Sequence, residues 1–436
     1  LRKLVTAIMV CSLSLIGSGC SRPQPEPVTI TVNYPSSQQF YKMYGYAFEE
    51  AHPNITVQVV PDLMKGTDSP PSTDVVYMNS QPLFEQRIER GELIRLDSLI
   101  RQSKFQIDSM TPIVTSMLKS AGNGELYGLA ATFQSDALFY NKRLFNEYQV
   151  PYPHDQMSWD EVLELAERFP HQNNDGMPLY GMQMNFYKNV SFNYILDMGA
   201  TEGLSYIDPN TLKITMNTEK WERIWNVAVS AFQSGSIYDK GEDAAEESVG
   251  HPPFYMEQAA MTKASFITAY NFEPFSQYQD GRTIEWGVVT VPVDPSNSTL
   301  SHSYSIFDIY GISSSASHQQ EAWELIQFIA GDSKNNHYLT QANVGRGLPV
   351  NLDDMKPIPG HDLSPLYRLL PADEPVNPYL LMDASILDSF ADAAQQILDE
   401  AIAGEITIEE ALERVEREGQ SAVDEARNKL TVGGRK

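Results

Sequence analysis

From residue 28 onward, short β-branched runs alternate with amphipathic helical stretches, and that alternation admits few folds. Residues 28–32 (VTITV) alternate like a strand, Tyr34, Pro35 and Ser36 read as a loop, and residues 39–51 read as an aromatic-rich helix. Residues 55–60 (ITVQVV) and 75–78 (VVYM) predict further strands, and 83–90 a helix stopped by Gly91. Such β-loop-α units imply the α/β class with a largely parallel sheet. Ligands of such sheets sit beyond the carboxyl ends of the strands, which selects the stretches 34–38 and 78–82 as candidate binding loops.

A chain of 436 residues is longer than one hydrophobic core usually serves, so at least two lobes are expected. Ser158 with Glu161 three residues on forms a capping box that opens a helix over 159–168. Thr218 precedes a helix over 221–232, whose Trp221, Trp225, Ala228 and Phe232 share one face and predict core. Residues 321–329, 386–403 and 407–426 are also amphipathic. No internal repeat is present.

The formal net charge of −26, with no basic stretch to offset it, excludes nucleic acid as a partner. The N-terminus has the order of an export signal: Arg2 and Lys3, then an apolar run over 4–16 too short to span a membrane stably. Gly17, Ser18 and Gly19 lead into Cys20, an order that resembles a lipoprotein signal, although Gly17 stands where the lipobox usually has Leu. The expectation is a signal over 1–19, a diacylglycerol-modified Cys20 as mature N-terminus, and a proline-rich tether over 20–27. A plain signal peptide or an uncleaved anchor is the alternative. Cys11 would leave with the signal, so the mature chain would hold no internal disulfide.

Residues 126–169 carry a Tyr-Gly-Leu start (127–129), a Tyr-Asn-Lys core (140–142) and a Trp-Asp-Glu helix start (159–161). In the same order follow 254–266 (FYMEQAAMTKASF), 286–292 (WGVVTVP), small residues before an Ala-Trp helix over 312–329, and a tail over 397–411. This ordered set resembles the family 1 extracellular solute-binding proteins, which include maltodextrin- and oligosaccharide-binding lipoproteins of ABC importers. The resemblance implies a two-lobed, periplasmic-binding-protein-like fold (type II) whose lobes are joined by a hinge crossed several times. It implies a first lobe of 28–142 plus 293–345 and a second of 143–292 plus 346–436, with Tyr140 to Lys142 as the first crossing. It further implies a monomer without cofactor or metal, held by its lipid on the extracytoplasmic face of a membrane. Its partners would be a small solute, a sugar or oligosaccharide, and the permease subunits. The tether and anchor suggest a Gram-positive host.

A sugar presents apolar C–H faces and a rim of hydroxyls, so its site needs aromatic rings and fixed polar groups. Tyr34 and Ser37 after the first strand, and Asn79 after the third, meet that need; Met78 stands where relatives often carry an aromatic. Gln134 and Asp136 lie on the approach to the hinge, which relatives use for polar contacts; Asp136 as a helix or turn cap is the plain alternative. Asn185 and Phe186 follow a strand-like stretch and offer a second-lobe wall, or else a helix entry. Phe266, flanked by Lys263 and Ser265, falls where the family frequently places a stacking Trp. Arg346, between two glycines, suits paired hydrogen bonds to a carboxylate or hydroxyls, or else a surface ion pair.

The motifs of common enzyme classes are missing: no Gly-x-Ser-x-Gly elbow, no phosphate loop, no His-Glu-x-x-His. Asn173, Asp175 and Gly176 faintly suggest a calcium loop, but its frame would begin with His171 and end with Met182, where carboxylates are required, so they predict a turn. A carboxylate-pair glycan hydrolase and a sensor subunit for a membrane kinase are the rival functions.

Overall fold

The computed structural model describes residues 26–61, 73–184, 188–239, 252–276, 283–331, 346–372 and 382–433. Cys20, Asn185 and Phe186 lie outside them.

The strands are β1 (Val28–Tyr34), β2 (Ile55–Pro61), β3 (Val75–Met78), β4 (Gly128–Ala130), β5 (Thr132–Phe133), β6 (Asp136–Asn141), β7 (Tyr180–Met184), β8 (Ala259–Ser265), β9 (Trp286–Val289), β10 (Leu300–Ser301), β11 (Ile309–Ile312), β12 (Leu348–Pro349) and β13 (Leu370–Pro371). Nine of them form two larger sheets, a five-stranded one in the order β2-β1-β3-β11-β4 and a four-stranded one in the order β7-β8-β6-β9, and the rest pair as β10-β13 and β12-β5.

The expected parallel pairing holds for β1 with β2 and β3, and for β7 with β8. One strand in each sheet breaks it. In the first, β11 runs antiparallel to both β3 and β4; in the second, β6 runs antiparallel to both β8 and β9. Both are the strands that arrive from the other sheet, β6 with no helix before it. A chain that crosses directly enters from the opposite end, so its direction is reversed.

The crossing also falls earlier than the expected boundary at residue 142. All of β6 hydrogen-bonds within the second sheet, so the change of sheet lies between Ala130 and Asp136. Its residues are buried on both faces: Ala137 and Phe139 join the core cluster that includes the first sheet, whereas Leu138 and Tyr140 join the second. Close approach there requires glycine, since a Cβ on Gly287 of β9 would stand 2.2 Å from the Tyr140 ring.

A second correction concerns the stretch after residue 346, expected in the second lobe. Leu348, Val350, Leu363, Leu366 and Leu369 are buried in the first cluster. β12 pairs with β5, β13 pairs with β10, and the Ser135 hydroxyl donates to the Leu366 carbonyl. Residues 346–372 thus strap the crossing, covering apolar side chains that two separate lobes would leave wet. Among the described residues, the helices Ala384–Ile402, Ile408–Arg414 and Gln420–Gly433, with the π turn Val415–Gly419 between the last two, return to the second core.

The helix expected over 39–51 runs from Ser37 to Ala51, with a wider π turn at Tyr41–Gly45. The capping box of Ser158 and Glu161 forms as expected, and Thr218 caps the helix Glu219–Gln233. Asn173 closes a turn by accepting from the backbone N–H groups of Asp175 and Met177.

Candidate functional site

The two stretches expected to be loops are shorter than foreseen. β1 runs through Tyr34 and a helix begins at Ser37, so only Pro35 and Ser36 intervene; β3 includes Met78 and the next helix begins at Gln81. Met78 is fully buried. Ser37 is half-buried at the helix start and Asn79 is exposed.

Strand direction collects these residues on one edge. β1, β3 and β4 end there, and antiparallel β11 begins there with Ile309 opposite Met78 and Ala130. Ser37, Asn79, Asp308 and the continuation through Thr132 and Gln134 therefore share the rim at the carboxyl ends of the first sheet. In the second sheet β7 and β8 end where β6 begins, with Asp136 opposite Ser265. Asn185 and Phe186 directly follow β7. Gln134 and Asp136, one residue apart, join the rims.

Arg346 is the anchor of the first rim. Its Nη2 donates to Asp308 Oδ2 at 2.6 Å and to the Tyr34 hydroxyl at 3.2 Å, while Nη1 lies 2.8 Å from Met43 Sδ. Tyr77 donates to the other oxygen of Asp308 at 2.6 Å, and the Gln134 amide donates to the Arg346 carbonyl at 2.7 Å. Burial alone would make this guanidinium easier to deprotonate, but the Asp308 carboxylate outweighs it and drives the pKa further up. Burial raises the Tyr34 phenol, and Arg346 opposes that rise. Tyr34 is 2% exposed, its ring 4.7 Å from that of Tyr77 and 5.4 Å from Phe40. It forms the floor beneath the rim and offers no open face for stacking.

Lys263 anchors the second rim. Its ammonium lies 2.5 Å from Asp197 Oδ1 and 3.9 Å from Asp136 Oδ2. Burial pushes the Asp136 carboxyl up; Lys263 pulls it down, and Asp197 adds to the rise. For Lys263 burial lowers the pKa, yet the two carboxylates prevail and raise it. Asp136 thus stands at the first residue of a strand, not as a helix cap.

Phe266 is 1% exposed and lies in the core, its backbone N–H donating to the Ser135 carbonyl at 2.9 Å. The residue most expected to stack on a sugar is packed against protein because it directly follows the strand β8 beside the crossing. The exposed aromatic at the rim is instead Phe307, between Ser305, paired with Gln134, and Asp308. Phe307, Asp308, Tyr77 and Asp197 were missed by sequence reasoning, since they lie in no motif and meet only through the crossing.

A separate cleft of about 880 Å³ lies along the helix Ile267–Ser276, lined by Lys142, Tyr270, Glu285, Trp286, Lys356 and His361 among others. The Trp286 ring is stacked on His361 at 3.7 Å and on Phe272 at 4.9 Å, so both its faces are taken.

Comparison with known proteins fits this arrangement. A binding protein of Brucella abortus (strain 2308) is 23% identical over 417 residues, spanning 89% of this chain and 92% of that protein. A sugar transporter from Rhizobium etli, solved in an open conformation, superposes with a TM-score of 0.63 at 17% identity, over 90% of this chain and 99% of that one. An ABC substrate-binding protein from Listeria monocytogenes, solved with cycloalternan, gives 0.57 at 17% identity, over 92% of this chain and all of that one. The family model for bacterial extracellular solute-binding proteins matches residues 34–335. With most of its length matched and its two sheets joined by crossing strands, the chain belongs to the family 1 extracellular solute-binding proteins.

Proposed function

We propose that this protein is the lipid-anchored solute receptor of an ABC importer, that it captures a sugar or oligosaccharide between its lobes, and that it passes the sugar unchanged to a membrane permease. The observation that carries this reading is the meeting of two polar rims at the crossing, one anchored by Arg346 and the other by Lys263. Fixed donors and acceptors over a floor of tyrosines match the paired hydroxyls of a sugar. What the structural relatives are called, a sugar transporter and an ABC substrate-binding protein in complex with cycloalternan, points the same way.

In this reading Ser37, Asn79, Gln134, Asp136, Asn185 and Phe186 contact the solute. The lobes bend about the segments near 131–136 and 290–305, exchanging an open form for a closed one that the permease recognises. Cys20 carries the lipid, which keeps the protein at the extracytoplasmic membrane face.

Calorimetric titration of the mature protein against mono- and oligosaccharides tests the reading. Stoichiometric binding with recovery of intact sugar supports it; turnover of the sugar would favour a hydrolase and sink it.

A further inference from the structure

We propose that Asp308 is a positioning residue: its carboxylate clamps Arg346 so that the unused N–H groups of the guanidinium are aimed at the solute. The inference rests on the binding reading above and deepens it.

Asp308 adopts a left-handed backbone, φ 58°, where side chains other than Gly, Asn and Asp are rare. Such conformations persist only where the surroundings over-determine them, and here both carboxylate oxygens are engaged at 2.6 Å, one by Tyr77 and one by Arg346. The three residues come from β3, from the entry to β11 and from the strap before β12. No local turn explains their meeting.

Arg346 has five N–H groups. Asp308, Tyr34 and Met43 take three, leaving two without an acceptor among the described residues. Its side chain is 24% exposed against 13% for Asp308, so the carboxylate is the more covered partner of the pair and the arginine the more open one. An arginine so held has already lost the rotamer freedom that a free one would lose on binding, and that preorganisation is what a receptor needs. An ordinary surface ion pair would share none of this: it would be exposed and without a second donor on the carboxylate.

The test uses the mature protein with Asp308→Asn, Arg346→Ala, the double variant and Asp308→Glu. Two probes are read. Phenylglyoxal modification at Arg346, followed by peptide mass spectrometry, reports the clamp without any solute. Calorimetry with maltotriose, sucrose and raffinose reports binding.

Asp308→Asn should raise the modification rate of Arg346 severalfold and weaken sugar binding ~10-fold or more, as loss of a charge-assisted hydrogen bond does. Asp308→Glu should restore part of both, and Asp308→Asn should add little once Arg346 is alanine. Unchanged reactivity of Arg346, or losses that simply add, would overturn the proposal. If none of the sugars binds the unaltered protein, the sugar reading fails, while the phenylglyoxal result still decides the role of Asp308. Should Asp308→Asn not fold, Tyr77→Phe removes one of the two donors to the carboxylate; a smaller rise in reactivity is expected, and no rise refutes the clamp.

Discussion

Lys263 joins two carboxylates that the chain brings from different elements, Asp197 on the helix Val190–Thr201 and Asp136 at the start of β6. The cation is nearly covered, at 12% side-chain exposure, so its charge is balanced by protein and not by water. Replacing it by methionine leaves two acidic groups facing one another. Lys263→Met should destabilise the protein by about 3 kcal/mol near neutral pH, measured by urea unfolding. Asp136 already titrates above an ordinary carboxylate, so its folded form holds a proton more tightly than the unfolded chain. The variant's deficit should therefore shrink as pH falls toward the carboxylate range, and a deficit that grows on acidification would contradict the assignment.

Asp74 shows the opposite pKa displacement. Its carboxylate accepts from the Thr31 backbone and hydroxyl at 2.9 and 2.8 Å, and from the backbone of Ser317 and His318 at 3.0 and 3.3 Å. Burial works to raise its pKa, and these donors together overcome it and hold the carboxyl below its ordinary value. The resulting stability is present above the unfolded pKa and is lost as pH falls through the lowered folded one. Asp74→Asn should lose about 2 kcal/mol at pH 7 and less in acid. Equal losses at pH 7 and pH 3 would show that the charge is irrelevant.

Phe266 and Phe307 should behave as opposites. Phe266→Ala, at 1% exposure, should lower stability by about 3 kcal/mol or more. Phe307→Ala, at 42% exposure, should leave the melting temperature nearly unchanged and weaken sugar binding by roughly 1 kcal/mol, the size of a stacking contact. Paired melting curves and calorimetry separate the two, and a solute affinity that ignores Phe307 would remove it from the site.

Gly181 in β7 is pressed against the helix Trp159–Ala166: a Cβ there would stand 2.1 Å from the Ala166 carbonyl oxygen, which is backbone and cannot swing away. Gly181→Ala should cost about 2 kcal/mol or more by chemical unfolding. A neutral result would mean that the helix yields readily.

The strands at 28, 55 and 75, the capping box at Ser158 and the tryptophan face of Trp221 and Trp225 were legible in the sequence, because period and caps are local signals. The rims were half legible. Ser37 and Asn79 fall on them because strand ends can be read from pattern, and Gln134 and Asp136 because the family resemblance marks the approach to the hinge, whereas the burial of Tyr34 and Phe266 could not be read. Burial at a strand end depends on which distant segment covers it, and the strap over 346–372 carries no periodicity of its own. Asp308 was invisible for the same reason: its partners are 231 and 38 residues away.

The place of β11 between β3 and β4 fixes an order of assembly. The second sheet is complete once residue 289 exists, but the earlier one lacks β11, the fourth of its five strands, until residue 312 arrives. β3 therefore waits on a partner some 230 positions downstream, and the sheet begun first can close only when nearly three quarters of the chain has been made.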